Sequence, residues 1–482
     1  MTDTDFIPES ATAATFEELG LAAPLVEALA NEGIIHPFPI QELAIPIALT
    51  GADLIGQART GTGKTLAFGT PLLQRLVLPG SRDFDDFKFF GKPQALVMAP
   101  TRELALQVSS DLTKAAAVLG ARILTIYGGV GYDEQLEALK SGVDVVVGTP
   151  GRLLDLAQRR SLDLSHVQTM VLDEADEMLD LGFLPDVERL TAKTPASRQT
   201  LMFSATMPAQ IVALARTHLN HPVHVRAEGQ DAQATVPDTT QFVYQAHDLD
   251  KPEIIGKLLQ APEVGKVMIF TRTKRAAQRL ADELEDRGFE SGSIHGDLNQ
   301  AQRERTLKRF RSGKIKALVA TDVAARGIDV EGVTHVINYE VPDDPKQYVH
   351  RIGRTGRAGR SGVAITLVDW PGITPWKVIN KALDLDFADP QETYSTSPQL
   401  LADLNIPEGT KGRIAEAKKK DDREDRHSGH SRHGKDGKKH DHDHKKSDDH
   451  GHKKSDEKKS GGPRRKRVRR RNGEVVVRDA ES

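Results

Sequence analysis

The sequence predicts an α/β protein with two tandem parallel-sheet domains, on three observations. Short, apolar, β-branched runs recur between amphipathic stretches, the alternation occurs twice, and a polar stretch without periodicity separates the two series. The runs are 95–99, 143–147, 169–172 and 200–203, then 267–270, 317–320, 333–338 and 364–368. Runs this short and this continuously apolar suit strands buried on both faces. Segments with apolar residues at helical spacing, such as 102–119 and 274–287, lie between them. Strand–helix alternation of this kind builds a parallel sheet.

The 482 residues suffice for two or three units with large buried cores. We expect a first domain over 1–226, a linker over 227–238, a second domain over 239–390, a connector over 391–410 and a tail over 411–482. The linker is small and polar, and the tail is Lys, Asp, His, Ser and Gly with almost no large apolar side chains. Such a composition cannot offset its ordering entropy, so the tail is expected to be disordered. The formal net charge of −3 is unevenly shared: from Lys411 onward there are 25 Lys and Arg against 15 Asp and Glu, net +10, leaving −13 for the first 410 residues. An acidic body with a basic tail suits an anionic polymer as partner.

The sequence has no cysteine, which excludes disulfides, thiolate metal sites, iron–sulfur clusters and cysteine nucleophiles. Its first residues are acidic where a signal peptide needs a positive start, and no run of about 18 apolar residues is present. A soluble, cytoplasmic protein with no membrane contact is expected.

Within the first domain, Ala58-Arg59-Thr60-Gly61-Thr62-Gly63-Lys64-Thr65 follows the apolar pair Leu54-Ile55 and precedes a helical segment, 66–76. Glycines there let backbone N–H groups approach the phosphates of a nucleotide, Lys64 supplies charge, and the Thr65 hydroxyl is placed for Mg²⁺. Asp173-Glu174-Ala175-Asp176 directly follows the run 169–172, so its acids emerge at the carboxyl end of a strand, where ligands bind in open α/β sheets. Asp173 is placed to hold Mg²⁺ through water, and Glu174 to orient and deprotonate an attacking water.

Asp-Glu-Ala-Asp is also the name-giving motif of the DEAD-box RNA helicases, and further blocks resemble that family in order and spacing from Phe16 to about Val368. The resemblance, to the bacterial type of this superfamily 2 group, implies two RecA-like domains and an ATP-dependent RNA helicase with ATP and Mg²⁺ as cofactors. Gly33-Ile34-Ile35-His36-Pro37-Phe38-Pro39-Ile40-Gln41 resembles the adenine-recognising element, with Phe16 as its isolated aromatic seventeen residues upstream of Gly33. Phe38 stands where the family is more often polar. A glutamine amide such as Gln41 can both donate to and accept from the adenine edge. Ser204-Ala205-Thr206 resembles the block that couples hydrolysis to strand separation by bonding Asp176. In the second domain, Arg354 and Arg357 of the run His350 to Arg357 resemble arginine fingers, His350 a coupling residue, Asp329 a ribose contact and Arg326 a bridge between domains.

The same resemblance assigns an RNA track. Thr101 and Arg102, Gly129, and Thr149 and Arg152 carry it on the first domain; Thr271 and Arg272, Gln300 and Arg303, and Thr321 carry it on the second. Hydroxyls, glycine amides and arginines are the usual phosphate-contacting groups, so binding is expected to be largely sequence-independent. Ribosomal or RNA-decay proteins are the expected protein partners. Two rival readings use the same two-domain engine: an ATP-gated clamp that holds RNA, and a duplex-DNA translocase.

In the tail, the cluster Pro463-Arg464-Arg465-Lys466-Arg467-Val468-Arg469-Arg470-Arg471 reads as an auxiliary RNA anchor. A merely solubilising tail and a nuclear-import signal are the alternatives. The histidines between His427 and His452 lack a folded context that would fix a metal geometry.

Overall fold

The computed structural model describes residues 14–414, apart from 59–60, 82, 85–88, 228–238, 329 and 357–360. The expected linker, but for its first residue, the expected tail from residue 415 on, and Arg59, Thr60, Asp329 and Arg357 therefore lie outside the described residues. The described residues form one compact unit.

Two seven-stranded, all-parallel sheets form that unit. The first holds β1 (Leu54–Gln57), β2 (Ala95–Met98), β3 (Ile123–Ile126), β4 (Val145–Gly148), β5 (Thr169–Leu172), β6 (Gln199–Ser204) and β7 (Val223–Arg226), in the order β3-β4-β2-β5-β6-β1-β7. The second holds β8 (Thr239–Gln245), β9 (Lys266–Thr271), β10 (Ser291–Ile294), β11 (Ala317–Thr321), β12 (Val333–Asn338), β13 (Gly362–Val368) and β14 (Gln391–Glu392), in the order β10-β11-β9-β12-β13-β8-β14. Adding seven to each strand number of the first order gives the second, so the lobes are topological repeats.

The interior strands are buried on both faces because alternate side chains serve two cores. Val97, Val147, Val171 and Phe203 point into one cluster with Phe68 and Leu72, while Leu96, Val146, Met170 and Met202 point into another with Leu153 and Ile211. The second lobe repeats this: Val267, Ile269 and Val319 face one core, Met268, Phe270 and Leu318 the other. Residues past 390 are no mere connector. β14 pairs with β8, and Leu400, Leu404 and Ile406 pack into the core of the second lobe. Only short helices join strands, and among the described residues none is long and apolar enough to cross a membrane.

Candidate active site

At the carboxyl end of β1 the chain turns through Ala58 to Gly63 into the helix Lys64–Gln74. Gly61 and Gly63 hold φ of +84° and +83°, a region costly for any side chain, and Gly63 caps the helix. A Cβ at Gly63 would collide with the Gln41 amide and the Phe38 ring. Lys64 opens the helix. Its Nζ donates to the Ala58 carbonyl at 2.9 Å and pairs with Glu174 Oε1 at 2.9 Å. Burial alone would depress the lysine, but the charges of Glu174 and Asp173 outweigh it and raise its pKa.

Asp173 and Glu174 leave the end of β5, and Glu174, at φ +50°, caps the helix Ala175–Asp180. A glutamate in the left-handed region is strained, and such strain concentrates at functional positions. Burial, then the neighbouring charge of Glu174, pushes Asp173 up to about 7. Its Oδ1 is buried without a hydrogen-bond partner. A buried carboxylate oxygen with nothing to satisfy it, in a cavity that Thr65 also lines, is a donor set that fits a hard divalent cation such as Mg²⁺.

Asp176 is fully buried and joined to β6. The Thr206 hydroxyl donates to its Oδ2 at 2.6 Å and the Thr206 N–H at 3.1 Å. Ser204 acts differently: its hydroxyl accepts from the Asp176 backbone N–H at 3.3 Å and donates to the Thr206 carbonyl at 2.7 Å.

The second lobe closes the cavity. Gly327, Ile328 and Arg354 line the same space as Gly61, Lys64, Thr65, Asp173 and Glu174, a cleft of about 450 Å³. Arg354 Nη1 donates to the Ile328 carbonyl at 3.1 Å, and its Nη2 lies 3.8 Å from Glu177 Oε1 in the first lobe. Arg326 Nη2 reaches Asp180 of the first lobe at 3.3 Å. Burial pushes His350 down to about 4, against the pull of Asp176, so it is neutral at physiological pH. Arg351, not singled out in the sequence, grips Asp322 with two bonds of 2.6 and 2.7 Å and donates to the Glu340 carbonyl at 2.8 Å. It thereby locks the helix Pro345–Ile352 to the segment after β11.

Two adenine-element residues differ from the simplest expectation. Phe16 is packed in the first lobe's core at 2% exposure and is not among the residues lining the cleft. Gln41 is fully buried, its oxygen accepting from the Phe38 N–H at 2.9 Å and its amide donating to the Gly63 carbonyl at 2.9 Å. It ties the adenine element to the phosphate loop, which leaves one amide hydrogen and one lone pair for a base. Phe38, half exposed, lines the cleft itself. Its place within the adenine element was the available signal.

The expected RNA-track residues gather where β2, β3 and β4 end. Thr101 caps the helix Arg102–Ala115, Gly129 at φ +84° lets the Arg102 guanidinium lie against its backbone, and Thr149 precedes the helix Pro150–Gln158. Arg152 donates to the Val130 carbonyl at 2.9 Å and to Gln135 Oε1 at 3.1 Å, pinning the glycine loop. From the second lobe, Arg303 pairs with Glu103 at 2.8 Å, and Gln300 Oε1 accepts from Arg102 at 3.2 Å, so several track residues also hold the lobes together. Arg272 donates to the Val341 carbonyl at 3.0 Å after β9, and Thr321 precedes the helix Asp322–Ala325.

A glycine-turn phosphate loop after β1, a buried acid pair at the end of β5 and an arginine from a repeated lobe together define a nucleoside triphosphatase whose site is completed between two RecA-like lobes. The DEAD/DEAH box helicase family matches residues 38–214, and the helicase conserved C-terminal domain matches residues 250–359. The chain belongs to this helicase family. It is 49% identical over 356 residues to the DEAD-box ATP-dependent RNA helicase CshA of Geobacillus kaustophilus (strain HTA426), covering 73% of each chain. To the CshA of Bacillus subtilis (strain 168) it is 46% identical, covering 73% of this chain and 69% of the relative. Among solved structures, S. cerevisiae Dbp5 bound to RNA and ADP BeF3 is similar, with a TM-score of 0.69 and 31% identity over 82% of this chain and 99% of that one.

Proposed function

We propose that this chain couples ATP hydrolysis to local RNA strand separation by closing two lobes around one cleft. Family membership makes it an ATP-dependent RNA helicase, an RNA-binding ATPase that uses ATP with Mg²⁺. The observation that carries the residue-level reading is the single cavity lined by Lys64, Thr65, Asp173 and Glu174 from one lobe and Arg354 from the other.

In the mechanism we propose, the phosphates of ATP lie on the N–H groups of the Gly61–Lys64 turn. Lys64 exchanges its ion pair with Glu174 for the β- and γ-phosphates, which frees the Glu174 carboxylate to accept a proton from the attacking water. Asp173, through water, and Thr65 would hold Mg²⁺, which would neutralise charge on the phosphate oxygens. Arg354, with Arg357 beside it in sequence, stabilises the charge that develops on the transferred phosphoryl group, so hydrolysis waits for the second lobe. Gln41 and Phe38 recognise the base, and Asp329 the ribose. RNA lies across the ends of β2–β4 and β9–β11, and closure bends it enough to destabilise a short duplex. Thr206 and Ser204, bonded to Asp176, carry the state of the acid motif to β6; Arg326 and His350 carry it to the second lobe.

The cysteine-free composition supports a cytoplasmic enzyme, and the backbone-directed track supports binding that is largely independent of RNA sequence. Ribosomal or RNA-decay proteins as partners, and the basic tail as an auxiliary RNA anchor, belong to the same proposal. ATP turnover with and without single-stranded RNA tests it, comparing wild type, Glu174→Gln and a chain ending near Thr410. The expected result is RNA stimulation in wild type, its loss in Glu174→Gln and weaker stimulation at low RNA after truncation. A rate that ignored RNA and rose with duplex DNA would move the substrate to DNA.

A further inference from the structure

The helix Ala175–Asp180 presents Asp176, Glu177 and Asp180 to the second lobe, and each carboxylate meets a cation there. Glu177 faces Arg354. Asp180 Oδ2 is shared by Arg326 at 3.3 Å and Lys346 at 3.0 Å, and Lys346 Nζ also lies 3.7 Å from Asp176 Oδ2. Arg326 and Arg354 have roles in the proposed mechanism; Lys346 has none. It sits in the first turn of the helix Pro345–Ile352, where the unpaired N–H groups make a cation unfavourable. A residue that opposes its own helix dipole is held for something outside the helix. Here the outside partners are two like charges, four residues apart on another helix, that repel until a cation comes between them.

We propose that Lys346 is a positioning residue for closure, a clamp that draws the second lobe onto Asp180 and Asp176 and so sets how much RNA is needed to switch hydrolysis on. The inference rests on the reading that hydrolysis requires closure. Lys346 is not among the residues that line the cleft. Its effect is on the balance between open and closed lobes, which RNA and ATP also bias. Loss of the clamp raises the RNA concentration at half-maximal ATPase and leaves turnover at saturating RNA in place, because enough RNA still drives closure.

The experiment measures ATPase against RNA concentration in the full chain, together with an interlobe fluorescence-transfer pair that reports closure with RNA and a non-hydrolysable ATP analogue. Lys346→Ala is expected to raise half-saturating RNA about 5- to 10-fold and Lys346→Glu more than about 30-fold, with turnover at saturation changed less than about twofold. Lys346→Arg restores the wild-type curve to within about twofold, since the charge and reach are kept. Asp180→Asn shifts the curve in the same direction, and the double variant Asp180→Asn with Lys346→Ala shifts it by less than the two single effects combined. Lys377→Glu carries the same charge change on the helix Ile373–Ala382, where Lys377 pairs only with the exposed Asp389, and leaves the curve unmoved. If Lys346→Ala and Lys346→Glu shift half-saturation no more than Lys377→Glu does, or lower turnover without shifting it, the clamp is wrong. Wild type that closes while the variants close at the same RNA concentration overturns the clamp alone. Wild type that does not close overturns the closure reading and the clamp with it.

Discussion

The two lobes share strand order, parallel register and even a buried lysine at the same place, yet only the first carries the glycine-turn phosphate loop. Lys64 opens the helix after β1, and Lys251 opens the helix after β8, the matching strand. Lys64 faces the cleft with the Ala58 carbonyl and the Glu174 carboxylate as partners. Lys251 is fully enclosed: its Nζ donates to the Tyr339 carbonyl at 2.8 Å and pairs with Asp369 at 2.9 Å and Asp248 at 3.2 Å. The difference lies in the preceding loop. Ala58 to Gly63 contains two glycines in the left-handed region that open the backbone to phosphate, whereas Ala246 to Asp250 contains none and supplies a carboxylate instead. One fold position thus gives a cation facing the cleft or an enclosed structural rivet according to a handful of loop residues.

The largest effect that would sharpen this comparison is chemical. Glu174→Gln should lower RNA-stimulated ATP turnover about 10³-fold, with the thermal midpoint little changed, because a general base is lost and the shape is kept. Lys251→Met should do the reverse. It strips the partly buried Asp369 and the Tyr339 carbonyl of their enclosed partner and is expected to cost about 3 kcal/mol of stability, read by denaturant unfolding, while turnover of the folded enzyme at saturating ligands stays near wild type. If Lys251→Met abolished turnover without loss of stability, the second lysine would be functional and the contrast between the lobes would fail.

The sequence read the interior of both sheets well and their margins poorly. Every continuous apolar run proved to be a strand, since burial on both faces leaves an unambiguous pattern. β3, β7, β8, β10 and β14 were missed because they are edge or near-edge strands of mixed character: three of four residues in β7 are exposed, and β10 reads Ser-Gly-Ser-Ile. The helix expected over 102–119 stops at Ala115, and the strand expected from Val143 begins at Val145. In the site, Lys64, Thr65, Asp173 and Glu174 were legible because each lies within a short motif at a strand end. Asp180 and Lys346 were not, being 166 residues apart and brought together only by lobe packing. Arg351 was passed over for the same reason, as its partner Asp322 lies 29 residues earlier.

Acid should separate the lobes by stability. His335 on β12 is pushed down to about 4, first by burial and then by the Lys316 charge. Below its ordinary 6.5 the unfolded chain takes up a proton that the folded one refuses until about pH 4. Stability is therefore lost as pH falls between those values and is level below them. We expect a loss of about 2 kcal/mol over that window, smaller than the full shift implies because the ring is partly reached by solvent. His335→Asn should remove its own share of the slope in unfolding midpoint between pH 7 and 5, and His350, also pushed down to about 4 by burial, supplies a comparable share. An unchanged slope would place the acid sensitivity elsewhere.

The smallest effect tests the repeat most directly. Thr101 and Thr273 cap equivalent helices after β2 and β9, their hydroxyls accepting from Leu104 N–H at 3.3 Å and Ala276 N–H at 3.1 Å. Removing either cap should cost about 1 kcal/mol, since the same orphan N–H loses its partner in each lobe. The functional consequences should part. Thr273 is followed by an outer helix, so Thr273→Ala should leave RNA half-saturation alone. Thr101 lies in the proposed track and against Gly327 of the second lobe, where a Cβ on that glycine would overlap its hydroxyl. Thr101→Ala should therefore raise half-saturating RNA about threefold beyond the shared stability loss, the size of one lost phosphate hydrogen bond of modest strength. Equal RNA curves for the two variants would mean that the hydroxyl serves only as a cap, and that the first lobe's track begins at Arg102.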